Sequence, residues 1–172
     1  MAVMYAYALY QRGLVIQGYK VLEGIYRHCV DFAHSHIYPG IPEYINNRGR
    51  GMYTYLTGAA SWYMLTLVTE VFGARGVMGD LELDPKLMAE QFDSEGKARI
   101  CIRFAGRKLE ICYHNPGRVD YGNYEIRSVR LDGSMIDLTG VPVIIQRSLI
   151  TSLKQGMANQ VEVELQRLNN KS

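Results

Sequence analysis

The sequence has little of what usually announces a function. Its three cysteines, Cys29, Cys101 and Cys112, are an odd number with no CxxC or Cys/His spacing. That speaks against a disulfide framework or a zinc site and for a reducing compartment, with the cytoplasm as default. Charge of one sign is also scarce: 19 Lys and Arg against 17 Asp and Glu leave a net charge of +2. This is too little to argue for nucleic acid or an anionic membrane. No apolar run reaches the ~18 residues of a membrane span, and no signal-peptide pattern opens the chain. There is no Walker loop and no dinucleotide fingerprint, and Ser61 has no GxSxG context. His28, His34 and His36 lie close together, but no acidic residue completes an HExxH-like set. They read as solvated loop or helix-end side chains, and no metal is expected.

What is present is a chain of 172 residues, 48% of them hydrophobic, enough to bury a core as one domain or two smaller pieces. Thirteen tyrosines outnumber four phenylalanines, and most of them lie before residue 65. Tyr combines an apolar body with a polar tip. It suits either a wet sugar cleft or amphipathic core packing.

The chain changes character near residue 77, which divides a helical part, 1–76, from a β part, 77–172. Met1 to Arg12 is apolar or aromatic on most faces, as a buried helix is, and carries no N-cap. Gly13 closes it. Leu14 to His34 follows, with Val15, Tyr19, Leu22, Ile25, Tyr26 and Cys29 at helical spacing. Residues 35–56 form a long connection rich in Pro, Gly and Asn, a length that tends to be functional. Ala59 to Phe72 is apolar all round, so this helix should be covered on every side before Gly73 and Gly76 end it.

The junction between that loop and that helix is the candidate site. Thr57 is a good N-cap, and Thr57-Gly58 should mark the helix N-terminus, where free N–H groups and the dipole favour an anion. The same residues are equally those of a capped core helix whose Thr hydroxyl bonds its own backbone. Arg48 and Arg50 either add positive potential or brace the loop. Of the acids, only Glu43 lies in the loop. One carboxylate is not the pair that a hydrolase usually needs. Asp80 to Pro85 alternates like a solvated edge strand with outward acids.

In the β part, Ala105-Gly106 reads as a two-residue hairpin turn that sets Ile100 opposite Ile111 and Ile102 opposite Leu109. Phe104 shares that core face, and Cys101 and Cys112 fall diagonally on the other. A second hairpin turns at Asp132-Gly133, with Val129 opposite Ile136. Val143 to Ile145 is a strand or the lead-in to a short helix at 147–153. Gln160 to Leu165 alternates as the last strand, and the polar tail Asn169 to Ser172 is expected to fray. The fold class is α+β, with helices followed by an antiparallel β-sandwich.

The block YPGIPEYINNRGRGMYTYLTGAASWYMLTLVTEVFGARGVMGDLELDPKL, residues 38–87, resembles the C-terminal part of glycoside hydrolase family 94 phosphorylases, enzymes of the cellobiose, chitobiose and β-1,2-oligoglucan phosphorylase kind. The likeness continues through QFDSEGKARICIRFAGRKLEICYHNP and IIQRSLITSL, and so covers essentially the whole chain. It implies the last helices of an (α/α)6 barrel followed by the C-terminal β-sandwich, with most of the protein upstream. It also implies inverting phosphorolysis of a β-linked gluco-oligosaccharide. Phosphate acts as co-substrate without a cofactor, giving an α-sugar 1-phosphate, and the full-length protein is expected as a homodimer. The family's phosphate-binding pair falls on Thr57 and Gly58. Its catalytic aspartate has no counterpart here. Glu43, Tyr44, Asn46, Asn47, Arg48 and Arg50 lie in the loop that approaches the sugar subsites. The alternatives are the phosphorylase-like domain of a cyclic β-1,2-glucan synthase and a non-catalytic carbohydrate-binding or structural module.

Overall fold

The computed structural model describes residues 1–37, 40–54, 57–138 and 140–168, so the tail at 169–172 lies outside the described residues, as do 38, 39, 55 and 56 of the long connection. The protein is mixed α and β, and it divides into two compact units, Met1–Val71 and Phe72–Ser172. The first strand of the second unit begins at Ala74, before the change of character expected near residue 77.

The first unit opens with α1 (Ala2–Gln11) and α2 (Val15–Val30). In α1, Val3, Ala6, Leu9 and Tyr10 form one buried stripe, while Met4 and Tyr5 on the other faces are exposed. Gly13, with φ +73, ends the helix in a Schellman turn: its N–H bonds Tyr10 O at 3.0 Å and that of Leu14 bonds Leu9 O at 2.9 Å. The helix pair closes tightly because Gly18 has no side chain. A Cβ there would lie 2.6 Å from the Tyr10 ring. The same burial pushes the Tyr10 hydroxyl far above its ordinary titration range.

The helix expected to run to His34 breaks at Asp31, whose carboxylate takes a 2.7 Å bond from His34 Nδ1. A single further turn, α3 (Phe32–Ser35), follows. Ser35 secures it by donating to Cys29 O at 3.1 Å. The long connection holds a small hairpin, β1 (Tyr44–Ile45) and β2 (Gly51–Met52), pairing Tyr44 with Met52.

The expected long apolar helix is instead α4 (Gly58–Thr66) followed by a π-helical turn, Leu67–Val71. Thr66 and Thr69 donate to Trp62 O and Leu65 O, four residues back. Such back-bonding commonly distorts a helix, and wide turns accommodate the distortion. Nor is α4 covered on every side. Trp62 packs edge-on against Tyr7 of α1 at 5.3 Å and Tyr63 donates to Leu22 O of α2, but Met64 and Leu65 are exposed.

The second unit holds two sheets. The smaller joins β3 (Ala74–Val77), β4 (Asp80–Leu83) and β9 (Val143–Ile145) in the order β3-β4-β9. The larger joins β5 (Lys97–Phe104), β6 (Arg107–His114), β7 (Tyr124–Leu131), β8 (Ser134–Ile136) and β10 (Ala158–Arg167) in the order β5-β6-β10-β7-β8. α5 (Arg147–Ser152) lies between β9 and β10. Both hairpins take the expected registers, Ile100 with Ile111 and Val129 with Ile136. Their turns use positive φ at Ala105-Gly106 and at Asp132-Gly133.

Two expectations fail here. The larger sheet is mixed rather than antiparallel, because β10 runs parallel to β6 and antiparallel to β7. Nor is β4 a solvated edge: it is the central strand of its sheet. Glu82 is buried, and Arg75 reaches across from β3 to both Glu82 Oε1 (2.8 Å from Nε) and Asp84 Oδ2 (3.1 Å). Pairing makes that burial tolerable. Val161, Val163 and Leu165 of β10 join Leu109, Ile111 and Tyr113 of β6 and Val129 of β7 in the core. Each such side chain contributes about 1.5–3 kcal/mol.

Gly73, with φ +62, is the tightest point of the chain's second unit, since a Cβ there would fall 1.9 Å from the Asp84 carbonyl oxygen. Gly73→Ala is expected to cost about 3 kcal/mol or more. Gly79→Ala, at a φ of +96 but in open space, should cost about 1 kcal/mol. Chemical denaturation of the two variants checks the difference. Equal midpoints would contradict the clash.

Candidate functional site

Thr57 is buried and opens α4 as its N-cap. Its hydroxyl accepts from Ala60 N–H at 3.0 Å and donates to Ile41 O at 2.7 Å. One side chain thus starts the helix and ties it to the loop. The anion facing this helix end is the chain's own: Glu43 Oε2 accepts from Ala59 N–H at 3.3 Å. A Cβ on Gly58 would lie 3.6 and 3.7 Å from the two carboxylate oxygens, ordinary contact, so Glu43 lies alongside the first residue of the helix.

The hairpin fixes what surrounds Glu43. Its N–H bonds Tyr53 O at 3.1 Å. Tyr44, beside it in the chain, packs its ring against that of Tyr53 at 5.6 Å, tilted by 53°. Both rings are largely open to solvent. A carboxylate at a helix N-terminus, on the strand pair that carries two exposed aromatic rings, suits a polar ligand carrying hydroxyls and negative charge. Tyr53 was not among the residues singled out from the sequence. The signal available was the hairpin register, which sets it opposite Glu43.

The other loop residues serve the turn. Asn46 Oδ1 accepts from the N–H groups of Arg48 (2.9 Å) and Arg50 (3.1 Å), and Asn46 N–H bonds Arg50 O. Its carbonyl oxygen is therefore a turn-former. Asn47 is exposed at the turn, and the side chains of Arg48 and Arg50 are exposed beside it. His28 is no solvated side chain. Its Nε2–H donates to Gly49 O at 2.6 Å, clasping the turn to α2. Among the described residues, no three His, Cys, Asp or Glu side chains gather as metal ligands. No helix among them is long and apolar enough to cross a membrane. The three cysteines are free, and burial pushes the thiols of Cys29 and Cys112 up.

In the second unit, a groove of about 770 Å³ runs over the face of the larger sheet. His114 and Glu164 meet in it at 3.0 Å, and Arg130, Glu162 and Lys97 line it with charges of both signs. None of its residues figured among the sequence candidates.

No family model matches the chain, and no curated protein matches it.

Removing the cap tests the local geometry. Thr57→Ala is expected to lose about 1–2 kcal/mol of stability, with both the cap and the tie to Ile41 gone. Thr57→Ser should keep most of it, as thermal unfolding followed by circular dichroism will measure.

Proposed function

We propose that the chain is the C-terminal part of an inverting glycoside phosphorylase of the family 94 kind. It would supply the phosphate-holding end of a site whose acid comes from a preceding segment. The resemblance of residues 38–87 provides the class. The observation that carries the reading is the Glu43 carboxylate on the Ala59 N–H, because it marks this helix end as a place where an anion rests. In the proposed reaction, phosphate replaces that carboxylate at the N–H groups of Gly58 and Ala59. A phosphate oxygen attacks the anomeric carbon as the bond to the departing oxygen breaks, and the upstream acid protonates that oxygen.

The geometry sharpens the part assigned to Thr57. Its hydroxyl already donates to Ile41 O, so its contribution is to hold the helix N–H groups in line rather than to donate to phosphate. Glu43, once displaced, stands beside Tyr44 and Tyr53 and can accept from sugar hydroxyls. The (α/α)6 barrel, the homodimer and the cytoplasmic location belong to this proposal. A second reading, a glycan-binding module, draws on the exposed Tyr44–Tyr53 pair alone.

The test is a longer form of the protein that includes the preceding segment, assayed for sugar 1-phosphate released from a β-linked glucan and phosphate. Thr57→Ala should raise the KM for phosphate about tenfold, the equivalent of one charge-assisted hydrogen bond. Glu43→Ala should raise the KM for the glucan and, with the competing carboxylate gone, lower that for phosphate. Unchanged phosphate dependence in Thr57→Ala would defeat the assignment, and glycan binding with no phosphate effect would favour the module.

A further inference from the structure

A concavity of the first unit is lined by residues of and beside α3 and by the β1–β2 turn. We propose that the concavity between α3 and the β1–β2 turn binds a small phosphate monoester, such as a phosphorylated sugar. Its walls are Ala33, His34 and His36 from the α3 side, and Asn46, Arg48 and Arg50 from the turn. They enclose about 300 Å³. That is the lower end of the size of small-molecule sites, and more than a bare phosphate group needs.

The charge of this concavity is one-sided. Two guanidinium groups and two imidazoles line it, and no carboxylate does. Asp31, which flanks it, is engaged by His34 Nδ1 at 2.7 Å. The guanidinium groups of Arg48 and Arg50 make no hydrogen bond or ion pair among the described residues. Guanidinium is the side chain best matched to a phosphate's oxygens, which it can bind in a forked pair.

The walls are also held in place before any ligand arrives. The turn is locked by Asn46 Oδ1 on two backbone N–H groups and by His28 on Gly49 O. On the facing side, the His36 ring packs edge-on against Phe32 at 5.8 Å, and the His36 backbone N–H bonds Phe32 O. Two anchored segments therefore present four basic groups to one space, so the backbone needs little ordering on binding. Asn46 offers its amide Nδ2 to a hydroxyl of the ligand, its Oδ1 being used by the turn. A net charge of +2 over the whole chain, with no basic run, fits a small ligand better than a polyanion.

The site uses neither Thr57, Gly58 nor Glu43, so it stands or falls independently of the phosphorylase reading. Calorimetric titration of the 172-residue chain with glucose 6-phosphate should give saturable binding, and glucose should give none. The double variant Arg48→Ala, Arg50→Ala should weaken binding by about tenfold or more, and Arg48→Lys, Arg50→Lys should keep part of it. His34→Gln with His36→Gln should weaken it from the opposite wall. Thr57→Ala should leave it unchanged. The turn is built from backbone groups of Arg48 and Arg50, so these variants keep the fold, and circular dichroism checks that they do. The proposal is overturned by an absence of saturable binding, by equal affinity in both double variants, or by tighter binding of a short oligonucleotide than of the sugar phosphate.

Discussion

The hydroxyl of Thr57 is the point on which the first unit's functional geometry rests. It serves two segments at once, accepting from the helix it starts and donating to the loop that precedes it. Without the first bond α4 has no side-chain cap, and without the second the loop loses its tie to the helix end. Glu43 lies two residues beyond Ile41, so the position of its carboxylate on the Ala59 N–H follows from that tie. The hairpin then carries the consequence to Tyr44 and Tyr53 through the strand pair, while its turn is locked separately by Asn46 and His28. A single buried hydroxyl thus orients an acid at the start of the strand pair that carries the aromatic rings.

The local parts of this arrangement were legible in the sequence because their causes are local. A Thr before an apolar run is a cap, and Ala-Gly or Asp-Gly between alternating strands is a turn that sets a register. Both hairpins follow from that chemistry alone. What the sequence could not show is pairing at a distance. β10 alternates plainly, yet nothing within it says that its neighbour is β6, some fifty residues earlier and parallel. β4 looked like a solvated edge because the residue that neutralises its acids, Arg75, belongs to another strand. Glu43 read as a loop acid, and only the fold brings it to a helix sixteen residues on. Asn46 looked like a ligand contact, but its oxygen is consumed two and four residues away. The helix was legible in length, from Gly58 to Val71, but not the π-helical turn that ends it, since Thr66 and Thr69 fit an apolar helix by pattern and bond back to it through their hydroxyls.

The two sites proposed for the first unit treat charge in opposite ways. At the α4 N-terminus the protein supplies its own anion, and a ligand must displace it. In the concavity beside α3 the Arg48 and Arg50 side chains face solvent, and of its basic groups His34 is paired with an acid, Asp31. The first arrangement favours selectivity, because a ligand must outdo a carboxylate already in place. The second favours rapid capture, because exposed cations on a preset frame draw anions from a distance.

The place of β10 in the larger sheet has a consequence for how the protein is made. It lies between β6 and β7, so two strands with apolar inner faces wait for the one that joins them. As the chain leaves the ribosome, the β5–β6 and β7–β8 hairpins can close by local contacts, but each keeps an unpaired edge until residues 158–167 emerge. Open edges of that kind invite pairing with other chains. The larger sheet is therefore complete only once β10 has taken its place between β6 and β7.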